Sequence, residues 1–292
     1  MIKRQDLIVF DEVPHTYTNS RTGLRMTPVS KVKDMIKEPF DGELISGIMA
    51  KALVNSRGGG SDRDIAIAKA GILAEWKATA LKATDRGTKI HKIIEALIPF
   101  VKESDSVLNI KIADACGREE YYIAVRQIIF SLRKYYQNCS EYLLYSEFYN
   151  VCGTGDHFGI RQNTKNSLVD IDDWKTNEFT FDSIKIKNGI VKHGNKMLLA
   201  PLEYLEESKY TDLALQLSIY GVLFESTYPG LRIGRLTGHN INHAGEYTPM
   251  PVPYMRREAI ALLDHFKSLK KLPTSTSGTS QPVIAYNEED EW

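Results

Sequence analysis

The clearest pattern of apolar and polar positions in the chain lies at residues 86–101. Apolar side chains recur there at the i, i+3, i+4, i+7 and i+8 spacing of one helix face: Ile90, Ile93, Ile94, Leu97 and Ile98. Helical periodicity also covers 30–54, 62–83, 117–137, 209–226 and 254–271, with a break at Gly58–Gly60. The segment 209–226 is apolar on nearly every face, so we expect that helix to be buried.

Three later segments, 141–151, 153–162 and 167–176, are rich in β-branched and aromatic residues and favour strands. Further extended segments lie at 6–30, 231–242 and 247–253. This order of elements predicts an α/β fold with a small mixed β-sheet flanked by helices and a helical N-terminal portion. We place the N-terminal portion at 1–84, packed on a core at 85–272, and a flexible linker with an acidic tail at 273–292.

Composition narrows the class of protein. No apolar run approaches the roughly 20 residues of a membrane span, and the N-terminus lacks the apolar stretch of a signal peptide. Cys116, Cys139 and Cys152 form no CxxC pair, which argues against a zinc site or an iron–sulfur cluster. Isolated cysteines are typical of a reducing compartment, so we expect a cytoplasmic protein.

The formal net charge is +0, so any binding of phosphates would depend on local groups of basic residues. Arg86, Lys89 and Lys92 form one such group and are candidate DNA-binding residues. A run of charges is more often a solvated face than a binding surface.

Candidate chemistry is concentrated in the segment 168–175. Strand alternation places Asp173 and Lys175 on one face. If the preceding strand pairs with this one through a turn at Thr164–Lys165, Asp156 lies opposite Asp173, with Cβ atoms about 5 Å apart. Two carboxylates this close repel each other unless a proton or a cation lies between them. Oxygen ligands at this spacing suit one or two Mg²⁺ or Mn²⁺ ions.

An acid two residues before a lysine is a weak signal by itself. Glu75–Lys77 and Glu207–Lys209 have the same spacing, and a surface ion pair is the ordinary reading of such a pair. The conjunction is more specific, because two further polar pairs lie at one-turn helical spacing: His91 with Glu95, and Gln216 with Tyr220. A Gln in a buried helix needs a polar partner, which a lysine–carboxylate cluster would supply.

These residues resemble the motifs of RecB-type nucleases of the PD-(D/E)XK superfamily. Residues 86–95 (RGTKIHKIIE) resemble GTxxHxxxE, 153–156 (GTGD) resemble GxxD, 173–176 (DWKT) resemble DxKT, and 216–220 (QLSIY) resemble QxxxY. Residues 13–30 resemble the start of phage exonucleases related to the mitochondrial genome maintenance exonuclease. The match departs in a longer spacing from 156 to 173, an insertion at 178–208, and the absence of the four-cysteine cluster of some relatives.

The resemblance implies a restriction-endonuclease-like core and a role for each motif residue. The implied metal ligands are His91, Asp156, Asp173 and the backbone carbonyl of Trp174. Lys175 would orient or activate a water, Gln216 and Tyr220 would hold Lys175 and the phosphate, and Glu95 and Thr176 would support them. Glu147, on a predicted strand, is either an extra metal ligand or the partner of a nearby base. No nucleotide cofactor is implied.

The leading functional hypothesis is therefore a metal-dependent exonuclease. It would act on ends of single-stranded DNA, in phage-type replication, recombination or repair. A structure-specific or restriction-like endonuclease on the same fold is an alternative, as is a non-catalytic DNA-binding subunit. The acidic tail, which ends in Trp292, is either a partner-binding peptide or a solvated end.

Overall fold

The structure is a computed structural model that describes residues 7–11, 16–161, 168–176, 184–187, 190–193 and 196–271. It contains two compact units. Among the described residues, one unit comprises those up to Glu38 together with Lys89–Lys271, and the other is Pro39–Thr88. The sequence-predicted linker and acidic tail lie outside the described residues.

Helices occupy the first half of the chain and return near its end. They are α1 (Val29–Asp34), α2 (Gly42–Ser56), α3 (Asp62–Leu97), α4 (Asp105–Cys116), α5 (Tyr122–Ser131), α6 (Lys209–Thr227) and α7 (Arg256–Lys271). Within the described part of the chain, no helix is long and apolar enough to cross a membrane.

The strands form one large mixed sheet and one hairpin. They are β1 (Ile8–Asp11), β2 (Thr16–Asn19), β3 (Arg25–Pro28), β4 (Tyr135–Ser146), β5 (Val151–Arg161), β6 (Leu168–Lys175), β7 (Ile184–Lys187), β8 (Ile190–His193), β9 (Arg232–Ile241) and β10 (Tyr247–Val252). The large sheet has the order β1-β2-β3-β5-β6-β9-β10, with β4 also paired to β5, while β7 and β8 pair with each other. The predicted fold class, a mixed α/β sheet flanked by helices, is confirmed.

The sheet is larger than expected because the N-terminal segment joins it. β3 pairs in parallel with the start of β5, so β1, β2 and β3 extend the core sheet. Of the described residues before Lys89, those up to Glu38 group with the core unit, and Pro39–Thr88 form the second unit.

Two predicted helix boundaries are wrong. The stretches 62–83 and 86–101 merge into the single helix α3, which ends at Leu97, since the residues that join them include no proline and Gly87 costs only about 1 kcal/mol. The helix predicted at 117–137 ends at Ser131, because the β-forming residues from Tyr135 onward pair with β5. The sequence analysis also missed α4, which Ser104 caps by accepting from the Val107 amide.

Helix α6 is the centre of the main core. Eleven of its residues between Leu213 and Phe224 are buried, which confirms the prediction of a buried helix. Its neighbours include α1, α7 and β9. Because α6 is surrounded in this way, its polar side chains lie in the interior of the unit.

Strand β5 connects the two parts of the sheet. β4 pairs along its whole length, so β3 and β6 share its other edge: β3 pairs at 151–152 and β6 at 157–160. Residues 153–156 lie between these two pairings. The sheet therefore opens at the position of Asp156.

A buried polar cluster lies on the face of β6 opposite to Asp173. Asp172 accepts hydrogen bonds from His157 Nδ1 and His239 Nε2, both at 2.9 Å, and from Tyr135 Oη at 3.2 Å. Burial opposes ionisation, but the two histidines hold the pKa of Asp172 well below its usual range. The cluster ties β6 to β5, β9 and β4.

Replacing Asp172 with Asn should destabilise the protein by about 3 kcal/mol. The NH2 group of the asparagine cannot accept a hydrogen bond, so it would face one of the donors that now bind the carboxylate. Thermal melting followed by circular dichroism measures the change. Asp114→Asn, at an exposed position of α4, is the matched control. Equal melting temperatures for both variants would contradict a stabilising role for the cluster.

Candidate active site

The two predicted carboxylates lie where β5 and β6 separate. Phe158 pairs with Ile171 and Ile160 with Val169, as the sequence predicts. The ladder ends at His157 and Asp172, and the next residues are Asp156 and Asp173. The predicted turn at 164–165 lies outside the described residues.

Asp156 is held by the backbone and repelled by its neighbours. Its Oδ2 accepts a hydrogen bond from the Trp174 amide at 2.7 Å. Burial raises the pKa of Asp156 well above its usual value, and the Asp173 carboxylate raises it further. A cation beside Asp156 would remove this penalty.

His91 reaches the same position from α3. Its Nε2 lies 2.9 Å from the Trp174 carbonyl oxygen, and its Nδ1 lies 3.7 Å from Oδ2 of Asp156. A neutral imidazole has one N–H and one lone pair, so in either tautomer the lone pair faces an oxygen acceptor. Burial lowers the pKa of His91, which disfavours the imidazolium that could donate to both.

The sequence analysis missed a third carboxylate, that of Glu141 on β4. It occupies the register position opposite Asp156, between the pairs Ser140–His157 and Tyr142–Gly155. One ligand atom from each of His91, Glu141 and Asp156 can be chosen so that the three lie within 4.8 Å of one another. Desolvation, together with the charges of the Glu95 and Asp173 carboxylates, raises the pKa of Glu141 to about 6.

The backbone at Glu141 has φ 47°, a left-handed conformation that is uncommon for residues other than glycine. Such strain is frequent at functional sites, where the surrounding structure maintains it. Here it accompanies a carboxylate directed at a cluster of acceptors. Glu141 therefore joins His91 and Asp156 by position, and its backbone conformation is an uncommon one.

The residues present fit a hard divalent cation. The carboxylates, an imidazole nitrogen and a backbone carbonyl are the ligands that Mg²⁺, Mn²⁺ or Ca²⁺ accept. Two ligands at right angles around an ion at about 2.1 Å would be about 3 Å apart. The 2.9 Å between His91 Nε2 and the Trp174 oxygen is the length of an N–H···O hydrogen bond, and two ligands of one ion would lie equally close.

Lys175 provides the positive charge at the site. Its Nζ lies 2.7 Å from Oδ2 of Asp173, on the same strand face. Burial opposes the charge, but the carboxylates of Asp173 and Asp156 outweigh it and raise the pKa of Lys175. The ammonium therefore stays protonated at neutral pH.

Gln216 and Tyr220 approach from α6. Gln216 Nε2 donates to Oδ1 of Asp173 at 3.4 Å and the side chain also hydrogen-bonds Tyr220. Burial raises the pKa of Tyr220, so its hydroxyl remains a neutral donor. A Cβ at Gly153 would lie 2.9 Å from the Tyr220 ring, which explains the first glycine of the Gly-Thr-Gly-Asp segment.

A second lysine, which the sequence analysis also missed, extends this network. Lys33 on α1 donates to Oδ2 of Asp212 at 2.7 Å and to Oε1 of Gln216 at 3.0 Å. Asp212 lies one turn before Gln216 on α6. No motif considered in the sequence includes Lys33 or Asp212.

The remaining predicted residues lie around this centre or away from it. Glu147 is in the turn after β4, where it binds Arg21 at 2.5 Å and Asn19 at 2.9 Å. Of the two roles considered for Glu147, the structure therefore gives it the basic partner. The strand prediction at that position is wrong, because the turn at 147–150 reverses the chain.

Three supporting positions have different environments. Thr176 is buried at the end of β6, and exposed Glu95 acts on Glu141 through its charge. The Trp174 side chain is buried between His157 and His239, so it is a packing residue.

The three candidate DNA-binding residues have different environments. Lys89 forms an ion pair with Glu119 at 2.6 Å, and Lys92 is exposed on α3. Arg86 is half-buried and belongs to the unit Pro39–Thr88.

Comparisons with known proteins give distant likenesses among solved structures. No protein-family model matches the chain, and no curated protein matches its sequence. The chain is similar to the crystal structure of a "putative exonuclease" from Eubacterium rectale, with 11% identity, 62% of this chain and 68% of that chain covered, and a TM-score of 0.31. A likeness of this size carries no argument about activity.

Asp156→Asn should raise the melting temperature of the metal-free protein, because it removes a buried charge that Asp173 repels. A gain of about 1 kcal/mol corresponds to roughly 2–4 °C. Mn²⁺ should stabilise the wild-type protein and have little effect on the variant. Thermal melting with and without Mn²⁺ measures both changes, and an equal Mn²⁺ shift in the two proteins would exclude Asp156 as a ligand.

Proposed function

We propose that this protein is a metal-dependent nuclease that hydrolyses phosphodiester bonds of DNA at the centre formed by Asp156, Asp173 and Lys175. The observation that carries the proposal is the convergence of acceptor groups beside one charged lysine. His91, Glu141 and Asp156 each offer one ligand atom within 4.8 Å of the others, and Lys175 lies next to them through Asp173. His91 Nε2 hydrogen-bonds the Trp174 carbonyl, so the lone pair of its Nδ1 faces Oδ2 of Asp156 at 3.7 Å with no proton between them.

The implied ligands are His91, Glu141, Asp156, Asp173 and the carbonyl of Trp174. A bound Mg²⁺ or Mn²⁺ would supply a water of lowered pKa and neutralise charge on the scissile phosphate. The protein fixes the ligands from four elements, α3, β4, β5 and β6. Glu141 takes the place of Glu147 as the additional carboxylate.

Lys175 acts on the nucleophile and on the phosphate. Its pKa is raised, so its ammonium donates hydrogen bonds and does not act as a base. It can orient the attacking water and stabilise the negative charge that develops on the phosphate oxygens. Asp173 holds the lysine in place, and Gln216 holds Asp173.

DNA as the substrate rests on the four motif resemblances at 86–95, 153–156, 173–176 and 216–220. They favour an exonuclease that acts at ends of single-stranded DNA and leaves 5′-phosphate and 3′-hydroxyl products. Arg86, Lys89 and Lys92 are candidates to contact the DNA backbone. The activity would serve phage-type replication, recombination or repair in the cytoplasm.

The purified protein should degrade end-labelled linear single-stranded DNA in Mg²⁺ or Mn²⁺ and stop in EDTA. Lys175→Met should abolish most of this activity while leaving folding intact, because it removes the donor at the nucleophile. The matched control is Lys77→Met, which should retain wild-type activity. Lys77 belongs to the Glu75–Lys77 pair on α3, which has the same spacing as Asp173–Lys175.

Circular single-stranded DNA separates the two nuclease readings, since an exonuclease leaves circles intact and an endonuclease linearises them. Cleavage that continues undiminished in EDTA would refute the metal. If Lys77→Met lost activity and Lys175→Met kept it, the catalytic centre would lie at the Glu75–Lys77 pair in the second unit.

His91→Ala should reduce cleavage by about 10- to 100-fold in Mg²⁺, with little change in melting temperature, because His91 is partly exposed and contributes a ligand. Mn²⁺ should restore part of the activity, since it binds the remaining nitrogen and carboxylate ligands more strongly. His243→Ala, at an exposed position, is the control. A His91→Ala protein that melts early but cleaves normally would make His91 a packing residue.

A further inference from the structure

Lys33 is a buried lysine that has no role in the proposed chemistry. Its side chain is 7% exposed and lies on α1, which packs on α6. Burial lowers the pKa of Lys33 although Asp212 opposes this, and the nearby charge of Lys175 lowers it further. Burying an ammonium costs several kcal/mol, and an apolar side chain could join the two helices at a lower cost.

The contacts of Lys33 determine the orientation of the Gln216 amide. An ammonium has three donors and no acceptor, so only the oxygen of an amide can face it. Lys33 Nζ lies 3.0 Å from Oε1 of Gln216, which directs Nε2 to the opposite side. There Nε2 meets Oδ1 of Asp173, an acceptor when ionised.

The other oxygen of Asp173 is bound by Lys175. The Asp173 carboxylate is thus held from two sides, by Lys175 directly and by Lys33 through Gln216. If the amide rotated, its oxygen would face the Asp173 carboxylate and repel it. Without Lys33, Oε1 loses the donor that fixes it, and the amide is oriented only by the long 3.4 Å contact to Asp173 and by the contact with Tyr220.

We propose that Lys33 is a positioning residue that locks the Gln216 amide, so that Gln216 holds Asp173 in the orientation needed at the metal centre. The inference rests on the proposed function for what Asp173 does. Lys33 itself touches neither the ligands nor the substrate in this arrangement. Its effect passes through a single amide group.

Lys37 provides a matched comparison. It binds the second oxygen of Asp212 at 2.6 Å and Asp34 at 3.3 Å. Both lysines therefore neutralise Asp212 and connect α1 or its end to α6, but the amide contact belongs to Lys33. A role in neutralising Asp212 predicts similar effects for the two lysines, whereas an amide lock predicts an effect of Lys33 alone.

The first experiment compares Lys33→Met with Lys37→Met. Loss of an outer contact that orients a metal ligand typically costs 10- to 100-fold in metal affinity or activity, so Lys33→Met should lose about that much in kcat. Its KM for single-stranded DNA should stay close to wild type, because the substrate contacts are retained. Lys37→Met should match the wild type in kcat and KM. Equal losses in both variants, or a rise in KM alone, would overturn the proposal.

A double-mutant cycle tests whether the effect passes through Gln216. Gln216→Met removes the amide, so adding Lys33→Met should cost nothing more than Gln216→Met alone. Additive losses would show that Lys33 acts by another route. Lys33→Gln, a neutral side chain that can still donate to Oε1, should keep more activity than Lys33→Met; if Lys33→Met does not fold, the cycle uses Lys33→Gln.

Mn²⁺ affinity measured by calorimetry without DNA gives a readout independent of cleavage. Lys33→Met should bind Mn²⁺ more weakly than the wild type, and Lys37→Met should not. If the wild-type protein binds Mn²⁺ but cleaves no DNA, the nuclease proposal fails while the comparison of Mn²⁺ affinities still decides the role of Lys33. Unchanged Mn²⁺ affinity together with unchanged kcat in Lys33→Met would refute the amide lock.

Discussion

The repulsion between Asp156 and Asp173 is the constraint on which the rest of the site depends. The end of the β5–β6 ladder places these two carboxylates side by side, away from most of the solvent. Burial and mutual repulsion make the ionised pair unfavourable, so the protein must supply compensating groups. The Trp174 amide, Lys175 and Gln216 each donate to one of the two carboxylates.

Much of this arrangement could be predicted because it follows from local periodicity. Strand alternation places Asp173 and Lys175 on one face, and symmetric counting about a turn places Asp156 beside them. The one-turn spacing of Gln216 and Tyr220 on a buried helix likewise predicts that both point toward the same cluster. The motif resemblance adds His91, whose approach depends on the tertiary position of α3 and cannot be obtained from spacing alone.

The residues that were missed depend on geometry that spacing does not reveal. Glu141 could have been found by counting across a four-residue turn at 147–150, which sets it opposite Asp156. The apolar pattern instead predicts a strand through Glu147, which in the structure lies in that turn and pairs with Arg21. Lys33 has no such signal, since it lies 179 residues from Asp212. The sequence also does not predict that the strand before α1 pairs with the core sheet.

Strand β6 shows how one alternating sequence serves two opposite electrostatic purposes. Asp172 points to the face where two histidines and a tyrosine donate to it, and there its charge is stabilised. Asp173 points to the other face, where its carboxylate forms an ion pair with Lys175 and raises the pKa of the neighbouring Asp156. A rigid, fully satisfied cluster on one face can thus hold the strand against the repulsion on the other. The pleat of β6 thus places the stabilising cluster around Asp172 and the candidate site around Asp173 on opposite faces, although the two residues are adjacent in the chain.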